Sequence, residues 1–289
     1  MRGPSFLGIL RGEAIKLSRQ LSFWLMIAAG LVLLAVSVVG INTAEGVQVG
    51  AKSDPVAFAH QMLDIYGTIF QIGSGITLLL VGSRLIAMEY QSGTIRIAYA
   101  RGVGRLHLLV GKLVFLALLA IVLLVGYLIA AGGLVAAMYA SWTGSLTGLE
   151  SLPSSFWQDF GYWLVVQGMS MGVVILLSAA AAGLGRGLAF AMAGSLAFFP
   201  IDNFLVAIMA LTSRATRHDS PWRNITEYLL GPNLNVVLGL IEPDHSAAGA
   251  LAPPLNPIDG GHALLVIGAW ALAFLVIAVV RAVRPDVLE

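Results

Sequence analysis

The chain has 289 residues, 58% of them hydrophobic and only 11% charged, with a formal net charge of +1 and no cysteine. A soluble domain carries about 25% charged residues, so a soluble globular class is excluded; the absent thiols exclude disulfides and thiolate metal sites, and the near-zero charge gives no reason to expect a nucleic-acid partner. Uncharged stretches long enough to cross a bilayer predict an all-α polytopic membrane protein, one transmembrane domain over 1–289.

Residues 4–20 come first. Phe6, Leu10, Leu17 and Leu21 recur at helical spacing, Arg11, Lys16 and Arg19 lie mostly elsewhere on the wheel, and Ile15 breaks the pattern. This predicts an amphipathic interfacial helix on a basic side, with a solvated basic tail as the alternative. Six spans follow, at 21–41, 65–81, 113–140, 160–182, 188–211 and 263–280. The first is too long for a signal-peptide core and lacks a small-x-small site, so no cleaved leader is expected.

Loop charge sets the expected orientation. Twelve of the sixteen Lys and Arg residues fall before the first span or in the loops on its side. The other side holds Lys52, Arg214, Arg217, Arg223 and most of the acids. By the positive-inside rule both termini are cytoplasmic. The outer loop, 212–261, contains TEYLLGPNLNVVLGLIEP, which predicts short helices on or in the outer leaflet. Pro253, Pro254 and Pro257 end any helix before the last span. Trp142, Trp157, Trp163 and Trp222 fall near predicted interfaces, as an aromatic belt requires.

The segment 84–112 is the polar anomaly. It reads RLIAMEYQSGTIRIAYARGVGRLHLLVGK and carries five basic residues between two apolar runs. Gly93 can end a helix and Thr94 can cap the next. The second span therefore continues to Gln91 or Ser92, a short helix covers 95–100, Gly102 and Gly104 allow a turn, and Arg105 opens the third helix. This is a cytoplasmic elbow fitted either to docking a protein or to anchoring on lipid headgroups.

The order Glu89, Gly93-Thr94, Arg105 and Gly111-Lys112 resembles the loop of bacterial type-2 (ABC-2) ABC exporter permeases. The stretch GTIRIAYARGVGR is similar to a subgroup with an ARG-x-GR turn, and lacks the commoner proline before the arginine. The N-terminal helix with Glu13, Lys16 and Arg19, and the Val-Arg-Pro-Asp-Val tail at 283–287, fit the same family. The resemblance implies a permease in a bacterial plasma membrane, paired with a second copy or a homologue and with two ABC ATPase subunits. ATP and Mg would sit on those partners, with no cofactor in this chain. Glu89, Gly93, Thr94, Arg96, Arg101 and Arg105 would form the ATPase-coupling surface.

Other chemistry is sparse. No G-x-x-x-x-G-K-[ST] occurs, so any ATPase must be a separate polypeptide. Gly168-Met169-Ser170-Met171-Gly172 matches G-x-S-x-G, and His262 opens the sixth span, which raises a rhomboid-like serine protease. The match lies within a helix, however, where Gly168 and Gly172 instead predict a close packing face with Ser170 bonding across it. Gly67, Gly73, Gly75, Gly126, Gly194 and Gly268 are read in the same way. His218, Asp219, Asp244, His245, Asp259 and His262 have no dedicated metal spacing. Asp202, with Asn203 beside it, follows Pro200 inside the fifth span. These two residues belong either to a translocation path or to an irregular outer end. An ion-coupled secondary transporter is the third class to weigh, and the scarcity of intramembrane charge speaks against it.

Overall fold

The computed structural model describes residues 6–92, 104–185, 187–216, 219–241 and 252–283. Among these the chain is helical. An interfacial helix α1 (Phe6–Ser18) precedes α2 (Leu21–Asn42), α3 (Glu45–Ser53) and α4 (Pro55–Gln91). Then come α5 (Arg105–Thr143), α6 (Thr147–Glu150), α7 (Ser154–Gly185) and α8 (Leu188–Thr216). Two short helices, α9 (Asp219–Thr226) and α10 (Leu230–Ile241), lead to α11 (Gly260–Val283). Six of these, α2, α4, α5, α7, α8 and α11, are long and apolar enough to cross a membrane.

The spans appear where hydropathy places them, but several overrun the apolar core. α4 starts ten residues earlier than the sequence reading, at Pro55. Its start is fixed by Asp54, whose Oδ1 accepts the N–H groups of Val56 (3.1 Å) and Ala57 (3.0 Å), ahead of a proline at the first helical position. It ends at Gln91, as Gly93 predicts. α5 starts at Arg105 and stops where Gly144 takes a left-handed conformation, φ 80°. α8 runs continuously through Pro200. The short helices expected in 212–261 are present as α9 and α10.

α7 is the innermost span. Val166, Val173, Val174, Ile175 and Leu177 are buried, packed against α4, α8 and α11. By contrast α2 buries only Leu34 and Ile41, so most of its surface faces outward. Close approach in the core is bought by small residues: Ala179 and Ala182 meet Ala191, Ala278 and Ala282. Ser83 Oγ lies 2.9 Å from Ser195 Oγ and donates to Ala191 O at 3.1 Å, joining α4 to α8 through a buried hydroxyl pair.

Two expectations are corrected. Gly168 and Gly172 have open space where a side chain would sit, so they form no tight packing face. Of the other glycines so read, only Gly67 is in a tight approach, with Trp163 Nε1 2.5 Å from where its Cβ would lie. Trp163 itself is buried in the core, stacked on Phe160 at 5.8 Å, and is not part of an interfacial belt. Its inward position on α7 lets the indole fill the gap above Gly67.

Candidate functional site

The first and last helices meet one face of the bundle. Arg105 Nη1, at the start of α5, donates to the Val283 carbonyl (2.8 Å) at the end of α11. α1 lies on this terminal face, packed against α5. Ile9 Cγ2 would be 2.9 Å from a Cβ at Gly111, so only glycine lets the two helices come this close. Phe6 adds an edge-on contact with His107 at 5.8 Å.

The side of α1 that faces inward carries Ile9, Glu13 and Leu17, spaced four apart. A carboxylate in a buried stripe needs a cation. Lys112, about two turns inside α5 and only 3% exposed, supplies it. Lys112 Nζ lies 3.4 Å from Glu13 Oε1 and 3.0 Å from Glu89 Oε1, and donates to the Leu85 carbonyl at 2.6 Å. The three partners match the three donors of an ammonium group. Lys16 Nζ closes the cluster from the open side, 3.1 Å from Glu13 Oε1 and 3.2 Å from Glu89 Oε1. Burial pulls the Lys16 ammonium toward a lower pKa, but the two carboxylates outweigh it and hold it above the ordinary lysine value.

Two lysines and two glutamates from three helices thus form a neutral, interlocked group. A cleft of about 410 Å³ opens beside it between α1 and α4, walled by Leu17, Gln20, Arg84 and Met88. Arg84 Nη1 crosses to Ser22 Oγ on α2 at 2.8 Å. Gln91 Oε1 accepts the Leu188 N–H at 3.4 Å, at the start of α8. The last two turns of α4 are therefore tied to α1, α2, α5 and α8.

Of the residues the sequence pointed to on this face, Glu89 sits inside the cluster and Arg105 holds the end of α11. Gly93, Thr94, Arg96 and Arg101 lie outside the described residues. The sequence does not mark Glu13, Lys16 and Lys112 as one site. Their positions, 13, 16 and 112, share no motif, yet two signals point to them: a glutamate in the apolar stripe of α1 and a lysine within an apolar helix.

The opposite face is built differently. Asp202 is buried and accepts the Gly231 N–H at the start of α10. A Cβ at Gly231 would come within 2.8 Å of Asn203 Nδ2 and 2.9 Å of Asp202 Oδ2, so a larger residue there would push both side chains aside. Asn203 Oδ1 accepts from Asn235 Nδ2 at 2.9 Å. Arg223 Nε and Nη2 donate to Asn256 Oδ1 (2.9 Å) and the Leu255 carbonyl (2.7 Å). His262 Nε2 is 3.0 Å from the Glu227 carbonyl, and its backbone N–H is held by Asp259 Oδ1 at 2.8 Å. No hydrogen bond joins Ser170 to His262 among the described residues, so the two do not form a nucleophile–base pair. No group of three or more His, Asp or Glu placed to hold a metal occurs among the described residues; 217–218 and 242–251 lie outside them.

No curated protein matches the chain. Residues 9–199 match the family described as ABC-2 family transporter protein. The match covers the whole ion cluster and its four residues, and it ends just before Asp202. With about two thirds of its length inside the match, the chain belongs to the ABC-2 transporter family.

Proposed function

We propose that this chain is the membrane subunit of an ATP-driven ABC exporter, with hydrolysis carried by separate ATPase subunits in the cytoplasm. The supporting observation is the ion cluster at the root of residues 93–103. Lys112 and Glu89 clamp together the two helices that flank this segment, and Glu13 adds α1. A push on 93–103 is then delivered to α1, α4 and α5 together. In this reading the terminal face is cytoplasmic, as the bias of basic residues indicates. Glu89, Gly93, Thr94, Arg96, Arg101 and Arg105 make up the coupling surface. Two ATPase subunits and a second permease, a copy or a homologue, complete the transporter in a bacterial plasma membrane. Asp202 and Asn203 serve the translocation path by fixing α10 at its far end.

The test is co-purification followed by transport in vesicles. Wild-type chain is expected to bring down an ATP-binding subunit. Gly93→Pro and Arg101→Glu are expected to leave the complex assembled with its ATPase active, and to abolish ATP-dependent transport. Full transport by both variants at normal expression overturns the assignment of the coupling surface. Transport driven by an ion gradient without ATP overturns the exporter reading.

A further inference from the structure

The cleft beside the ion cluster has one positive charge to spare. Its α4 wall is Val81, Arg84, Leu85, Met88, Glu89 and Ser92, at spacings of three and four that keep them on one helix face over about 16 Å. The face changes along its length. Val81 and Leu85 make it apolar toward the middle of the span, and Glu89 and Ser92 make it polar toward the terminal face. Arg84 lies at the change-over. α1 supplies the facing wall, where Leu17 continues the apolar floor and Lys16 and Gln20 stand on the polar side.

The charges of the cleft are not evenly matched. Glu13 and Glu89 are both met by Lys16 and Lys112. Arg84 has no such partner. Its Nη1 donates to Ser22 Oγ at 2.8 Å and its Nε to Met88 Sδ at 3.3 Å, both of them neutral. Among the described residues no carboxylate pairs with this guanidinium, and its Nη2 makes no hydrogen bond. The side chain is half-buried on a membrane-spanning helix. A cation so placed calls for an anion. The flat fork of N–H groups on arginine suits a phosphate above other anions.

The rest of the cleft narrows the choice. A soluble phosphate would leave Leu17, Val81 and Leu85 uncovered. An acidic peptide would need several uncommitted cations, and the lysine in the wall is already engaged. A volume of about 410 Å³ is enough for a phosphate head group with the upper part of a chain. Basic pockets between helices at the membrane surface are places where anionic head groups settle.

We propose that this cleft holds one anionic phospholipid of the adjoining leaflet, its phosphate on Arg84 and its acyl chains along Leu17, Val81 and Leu85. Such a lipid joins α1 to α4 beside the ion cluster. Binding needs only the membrane, so it stands or falls apart from ATP-driven transport.

The test is native mass spectrometry of the delipidated full chain, titrated in detergent with dioleoyl phosphatidylglycerol and, separately, with dioleoyl phosphatidylcholine. One phosphatidylglycerol is expected to bind at least about tenfold more tightly than phosphatidylcholine. Arg84→Gln should bring the two lipids to within about twofold of each other. Gln20→Lys adds a cation to the wall and should tighten phosphatidylglycerol binding, a change that misfolding cannot imitate. Equal affinity for the two lipids in the wild type overturns the proposal, as does an undiminished preference in Arg84→Gln or a Gln20→Lys chain that binds no tighter. Displacement of the lipid by glycerol phosphate at equal concentration also overturns it, because the cleft would then be a site for soluble anions. Chain purified with its membrane partners should retain the lipid; its absence there would mean that another protein fills the cleft, and would overturn the proposal too.

Discussion

The two ends of the bundle are held together by different chemistry. On the terminal face, Glu13, Lys16, Glu89 and Lys112 join three helices through charge. On the opposite face, Asp202, Asn203, Arg223, Asn235 and Asn256 join α8, α9, α10 and the 252–259 segment mainly through amide and backbone groups. The difference bears on motion. A charge cluster that opens onto a cleft can exchange partners with an incoming charged surface without leaving any member bare. Amide groups bonded to fixed carbonyls have no such exchange, so that end keeps its shape. The end proposed to meet an ATPase is the one held by exchangeable bonds.

The largest expected effect lies in the cluster. Lys112→Met removes the buried cation and leaves the two carboxylates with Lys16 alone, on the open side. Such a loss costs about 3–5 kcal/mol. Equilibrium unfolding in mixed micelles should show it, and adding Glu13→Gln to the same chain should recover part of it. A loss below about 1 kcal/mol would mean that water reaches the carboxylates, and the contrast between the two ends would break.

A smaller effect is expected at the opposite end. Asp202→Ala takes the acceptor from Gly231 N–H in a buried place, which costs about 1–3 kcal/mol. The damage should stay local, with faster hydrogen exchange in the first turn of α10 and unchanged exchange in α1. If exchange in α1 rises as well, the two ends are coupled more tightly than their bonding implies.

The smallest effect belongs to Lys16, whose side chain is 57% exposed. Lys16→Met should cost less than about 1 kcal/mol, because solvent screens an open ion pair. Its pKa is raised in the folded chain, so its contribution is complete below the unfolded lysine value of about 10.4 and fades as pH rises through the higher folded value. The gap between wild type and variant should therefore be flat from neutral pH to about 10 and close above it. A gap that closes near pH 7 would remove Lys16 from the cluster.

Hydropathy made the six spans legible, and Gly93 and Arg105 made the ends of α4 and α5 legible, because both depend on neighbours in the chain. The charge cluster depends on residues 13, 89 and 112, which only the fold brings together. In α1 the helical spacing of Phe6, Leu10 and Leu17 points to one face, whereas the buried line is Ile9, Glu13 and Leu17. A carboxylate in that line is hard to see as buried until its lysine is in place. Gly168 and Gly172 misled for the opposite reason. Their spacing is right for close packing, but a Cβ on either would meet nothing within 4 Å. Tight contacts fall instead at glycines such as Gly67, Gly82 and Gly111, each set by the partner side chain: Trp163, Ser178 and Ile9.

The balance of the cluster has a consequence for descent. With two positive and two negative members, any single replacement by a residue of different charge passes through an unbalanced state. Glu13 and Lys112 sit deepest, so a lineage could leave this arrangement only by changing both within a short interval. Across related chains, positions 13, 89 and 112 are expected to be inherited as a set, kept whole or traded whole for apolar residues, while position 16 drifts.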